Sequence, residues 1–201
     1  ISYRFNSDSG NDQNFYDRIG LVNYVDQYER STNLTREKEH TGQIDYTMPF
    51  KNGGILETGL KYINRDNLSE NIYLNFDPLQ QIYVPNINLT NSFKFSQEIF
   101  SFYGVYGRQF KSFGLKLGLR GEQTLMNILL DQDSKVKNGF FNLIPTVFIS
   151  RKLDSKSNIS ISYARRITRP GLYYLNPFIN FQDPLNVSYG NPCLVPETTH
   201  S

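Results

Sequence analysis

The sequence predicts an all-β fold: an antiparallel, up-and-down transmembrane β-barrel segment of about seven to eight strands, with short periplasmic turns and long extracellular loops. Three observations predict it. From residue 36 onward apolar side chains recur with period 2 rather than 3.6, the repeat of a strand whose two faces meet different surroundings. Tight turns alternate with long polar connections, an asymmetry that a soluble sandwich lacks and an outer-membrane barrel has. One strand face carries charges in a row, which suit a water-accessible lumen better than a packed core.

The elements follow in order. Residues 1–8 read as an upward strand and 9–35 as a long external loop, with a strand-like extension at 19–29. In HTGQIDYTMPF (40–50), Ile44, Tyr46, Met48 and Phe50 share one face, while Thr41, Gln43, Asp45 and Thr47 share the other. The turn KNGG (51–54) then leads to a strand with Leu56, Thr58, Leu60 and Tyr62 opposite Glu57, Gly59 and Lys61. A second hairpin joins 97–110 through KSFG (111–114) to 115–125, where Leu115, Leu117 and Leu119 face away from Lys116, Arg120 and Glu122. A third joins 140–153 through DSKS (154–157) to 158–167, where Ile159, Ile161 and Tyr163 oppose Ser160, Ser162 and Ala164. Pro145 removes a ladder donor inside a strand and predicts a bulge or bend there. The connections 66–93, 126–139 and 168–197 read as long loops on the opposite side from the tight turns.

Composition bounds the alternatives. The 201 residues are 38% hydrophobic and 20% charged, enough apolar content for one folded domain. With 14 Tyr and 15 Phe but no Trp, the chain is rich in residues that favour half-buried strands. The net charge of +2 is spread along the chain, which speaks against a nucleic-acid partner. Cys193 has no second cysteine to bond, and His40 and His200 give no metal-ligand spacing, so no metal or cofactor is expected. The acidic run DQDSKVKNG (131–139) fails as a calcium loop because its fifth and sixth positions are Lys135 and Val136. Asn33, Asn67, Asn88, Asn158 and Asn186 open N-x-S/T triplets, which an Asn- and Ser-rich chain produces by chance. No apolar run reaches the roughly 20 residues of a membrane-spanning helix, which excludes a helical membrane protein and leaves a barrel open. The chain opens on Ile1 without a secretory leader beside it, as expected of a longer protein or one whose signal was removed. The same alternation also fits a small adhesin-like barrel or a soluble β-sandwich binding module.

Residues 162–201 carry a more specific pattern: Ser162, Tyr163, Arg165, Arg166, Ile167, Arg169 and Pro170, then Leu175, Asn176, Pro177 and Phe178, Asp183 and Pro184, and Gly190, Asn191, Pro192, Leu194, Pro196 and Glu197. In this order they closely resemble a signature of the barrel region of TonB-dependent outer-membrane receptors, in the branch called the outer-membrane protein β-barrel family. Weaker resemblance covers most of residues 40–201, and the departures, Cys193 and Val195, are local. The resemblance implies that residues 1–201 form part of one barrel domain, without the plug and its energy-coupling segment. It implies non-catalytic uptake of a bulky nutrient, an iron chelate, cobalamin or glycan, across the bacterial outer membrane. Its implied partners are outer-membrane lipid and lipopolysaccharide, the TonB system acting through the plug, and a surface lipoprotein. The motif residues Arg165, Arg166, Arg169, Pro170, Asn176, Pro177, Gly190, Asn191, Pro192, Pro196 and Glu197 are expected to be structural, and residues 198–201 to begin the next strand.

For ligand contact the loop offers Arg166, Arg169, Tyr173 and Tyr174 as candidates. Strand parity puts Arg166 on the lumen face and Arg165 on the outer face, within reach of lipopolysaccharide phosphates. Capping of the strand and packing of the loop onto itself account for the same residues.

Overall fold

The computed structural model describes residues 2–18, 27–130, 134–154, 156–179 and 187–201. Among these residues nine strands and one short helix follow in order: β1 (Ser2–Arg18), β2 (Gln27–Pro49), β3 (Gly54–Asp77), β4 (Ile82–Pro85), β5 (Asn91–Gln109), β6 (Phe113–Leu130), β7 (Ser134–Lys152), β8 (Asn158–Thr168), α1 (Leu172–Leu175) and β9 (Glu197–His200). Every pairing is antiparallel between strands adjacent in the chain, except that β5 pairs β3 and the short β4 lies off this path against the end of β3. The result is one up-and-down sheet that is not closed, with β1 and β9 at its edges among the described residues.

Local chemistry sets the turns. Between β2 and β3, Gly53 takes φ +81°, a conformation that costs glycine nothing, and its N–H bonds the Phe50 carbonyl at 3.0 Å. Between β7 and β8, the Asp154 carboxylate accepts the backbone N–H groups of Lys156 (2.7 Å) and Ser157 (2.8 Å), and these donors hold its pKa below the ordinary aspartate value.

The strands exceed the expected lengths. Much of the predicted loop 66–93 is strand, because β3 continues to Asp77, β4 covers Ile82–Pro85 and β5 begins at Asn91. Likewise β6 runs to Leu130 and β7 starts at Ser134, so most of the predicted loop 126–139 is strand. The predicted external loop 9–35 is also largely β1 and β2, and its expected extension at 19–29 lies mostly outside the described residues. A bilayer needs about 9–11 residues of tilted strand, whereas β3 has 24. In the surplus of β3, as in NRDNLSEN (64–71), polar residues occupy both faces and the alternation that betrays a strand fades.

Pro145 makes no bulge. The β6–β7 register passes straight through it at Leu119↔Pro145. What ends there is the β7–β8 ladder, whose last pair is Thr146↔Ala164. Beyond that point β8 pairs β9 instead, from Arg165↔His200 to Thr168↔Glu197. A residue without an N–H cannot extend the ladder, so β8 leaves β7 at this position.

Candidate functional site

The register sorts every strand into two faces. On the outer face, Ile44, Leu60, Phe102 and Leu143 project beside Gly121, and the next row holds Tyr3, Gly42, Tyr62, Phe100, Gln123 and Phe141. These are large apolar side chains left in the open: Leu60 is 62% exposed and Ile161 68%. In water such a face is an aggregation surface; in hydrocarbon it is the expected one. Both histidines meet a tyrosine hydroxyl on this side, His40 that of Tyr3 at 2.6 Å and His200 that of Tyr163 at 2.9 Å.

The inner face is polar and internally paired. Asp45 accepts hydrogen bonds from Tyr103 and from Gln43. Arg65 of β3 meets Glu39 of β2 at 2.6 Å and Gln97 of β5 at 3.4 Å, joining three strands. Glu122 of β6, 3% exposed, pairs with both Arg120 and Arg169. A carboxylate withdrawn this far from water needs such partners to remain charged.

Arg169 belongs to the segment that follows β8, and its ion pair ties that segment to the inner face of the sheet. Six residues on, Leu175 of α1 is fully buried against Phe93 and Phe95 of β5 and Met126 and Ile128 of β6, with Leu172 and Leu194 beside it. The motif residues explain how the chain doubles back. Gly190 N–H bonds the Asn176 carbonyl and Asn191 N–H the Tyr174 carbonyl, both at 2.7 Å. A Cβ on Gly190 would lie 2.5 Å from the Tyr174 carbonyl oxygen and 2.6 Å from that of Asn176, so only glycine permits this approach. Each Asn-Pro pair forms the same turn: the Asn176 side chain accepts Phe178 N–H at 3.1 Å and the Asn191 side chain accepts Cys193 N–H at 2.9 Å. Asp183, Pro184, Phe181 and Asn186 lie outside the described residues.

Among the loop candidates, Arg169 is engaged by Glu122, while Arg166 on β8 is exposed. Tyr173 and Tyr174 are 68% and 62% exposed, edge to face at 5.5 Å. The Tyr173 hydroxyl meets that of Ser188 at 3.2 Å. Arg165 lies on the outer face opposite His200, and Cys193 is exposed. Pro170 and Pro177 are half-buried in the returning segment, and Glu197 opens β9, the strand expected near 198–201. Sequence reasoning missed Glu122 as the partner of Arg169 and Asp45 as that of Tyr103. No local signal marks them, because the pairs are 47 and 58 residues apart. Among the described residues no three His, Cys, Asp or Glu side chains gather to hold a metal.

The chain is similar in fold to a solved structure. The unliganded ferric citrate transporter FecA matches with a TM-score of 0.50 at 10% identity, over 82% of this chain and 25% of that one. The ferric yersiniabactin uptake receptor FyuA from Yersinia pestis matches with a TM-score of 0.44 at 14% identity, over 83% of this chain and 26% of that one. The chain thus spans about a quarter of the length of these solved structures. No curated protein matches it. The outer membrane protein beta-barrel family matches residues 1–201 from end to end. With an apolar outer face, a charged inner face and that match, the chain belongs to the outer membrane protein beta-barrel family, and its place is the bacterial outer membrane.

Proposed function

We propose that this chain is one wall of a TonB-dependent receptor that takes up a bulky nutrient through the outer membrane. The observation that carries the reading is the inner face: a charged wall with a returning segment fastened to it by Arg169–Glu122 and Leu175. Such a wall suits a wide lumen that loops narrow from within, rather than a barrel filled by its own side chains. The open sheet supports a second part of the reading. Edges at β1 and β9 present unpaired backbone groups that hydrocarbon does not tolerate, so further strands of the same barrel cover them. A plug inside the completed barrel couples it to TonB, and a surface lipoprotein is its outer partner. Iron chelates, cobalamin and glycans are the solute classes. No catalytic step is part of this role.

Uptake by the complete protein tests the proposal in a strain lacking its own receptors for these solutes. Accumulation of one of the three classes that disappears on loss of TonB is the expected result. Uptake of small solutes that continues unchanged without TonB describes a passive pore and overturns the reading.

A further inference from the structure

Above the apolar band, the outer face changes character. One row across the sheet holds Lys38, Asp66, Ser96, Asn127 and Lys137, in register from β2 to β7. The next row holds Arg36, Leu68, Lys94, Leu129 and Lys135. Five bases thus face one acid, Asp66, and all five are exposed. Among the described residues none of the five is in a salt bridge. The nearest acid below them, Glu98, accepts the Tyr62 hydroxyl at 3.0 Å, and Glu70 lies one row further from the membrane. The bases are scattered through the sequence at positions 36 to 137, and the register alone collects them.

Immediately below lies an apolar groove of about 630 Å³ across the outer face, lined by Tyr3, Ile44, Leu60, Tyr62, Phe102 and Phe141. Gly42 opens its floor, since a Cβ there would meet nothing within 4 Å. The vertical order is groove, then the row of His40, Asn64 and Glu98, then the two basic rows. These rows begin about 7 Å along the strand above His40 and extend about 7 Å more. From β2 to β7 they span roughly 19 Å, four strand spacings.

We propose that this face binds lipopolysaccharide: the basic rows hold the phosphates of its lipid A head, and the groove takes one of its acyl chains. The inference rests on the outer-membrane location and not on the transported solute. Charge complementarity selects the occupant. Each of the two lipid A phosphates offers acceptor oxygens to more than one cation, and a base near an anionic membrane surface gains affinity from it. An acyl chain laid in the groove covers apolar surface that the flat outer wall leaves irregular.

The test uses the complete receptor, delipidated in detergent and titrated with lipid A bisphosphate, dephosphorylated lipid A or inorganic phosphate. Arg36→Gln/Lys94→Gln/Lys135→Gln is the collar variant, Gly42→Leu fills the groove, and Lys111→Gln in the turn at the opposite end is the control. The collar variant is expected to lose affinity for lipid A bisphosphate by on the order of a hundredfold. Gly42→Leu weakens both lipids, Lys111→Gln changes neither, and inorganic phosphate at millimolar concentration does not compete. Equal affinity in wild type and collar variant overturns the proposal, as does dephosphorylated lipid A binding as tightly as the bisphosphate. Competition by inorganic phosphate alone reassigns the rows to a free anion and overturns it too. Lys94→Gln singly keeps the test valid if the triple variant does not assemble. Solute uptake by the same variants separates the two readings, since none of the substituted side chains faces the lumen.

Discussion

Glu122 shows how one residue organises the lumen. Its carboxylate is buried between two guanidinium groups, one from its own strand and one from the segment that returns after β8. Glu122→Gln removes the charge and leaves Arg120 and Arg169 facing each other, with the loss falling on the returning segment because Arg169 has no other ion pair among the described residues. The expected cost is about 1–3 kcal/mol of local stability. Hydrogen exchange at residues 172–179 reads it as protection reduced by on the order of tenfold or more, against unchanged protection in β2 and β3. Arg169→Gln in the same background then adds little, because the two substitutions remove one interaction. Unchanged exchange in Glu122→Gln would assign the segment's attachment to Leu175 alone.

At the scale of the element, the outer face of each strand carries the membrane's demands. Leu60 is the case to test: it lies at the centre of the apolar band, and its replacement by lysine should cost about 2–4 kcal/mol of insertion stability. Lysine at Val105, on the opposite face of the neighbouring strand, should cost far less, because its amine reaches water and Glu57, directly across on β3. Urea titration of the assembled protein in bilayers distinguishes the two, and equal losses would contradict the sorting of faces. The same physics decided what was legible in the sequence. Leu115, Leu117 and Leu119 against Lys116, Arg120 and Glu122 could be read because lipid and water impose opposite chemistry on neighbouring residues. The upper halves, such as NRDNLSEN in β3, could not, because polar residues stand on both faces there and leave no alternation to read. The short turns were legible from Gly53 and Asp154, whose conformations and side-chain bonds are local. The ion pairs of the lumen were not, because cross-strand register brings their partners together.

For the whole molecule, the register makes a single sheet with two incompatible surfaces, one fit for hydrocarbon and one for water. The returning segment, the lumen charges and the basic rows all depend on that assignment of faces. Cysteine scanning of residues 99–106 along β5 tests it most directly, in the complete protein in native outer membranes and with Cys193→Ser to remove the exposed native thiol. A water-soluble maleimide should label positions 99, 101, 103 and 105, with the more deeply buried 99 and 101 slower, and should leave 100, 102, 104 and 106 unlabelled until detergent replaces the lipid. Uniform labelling along the strand, or protection of the odd positions with free reaction at the even ones, would contradict the account.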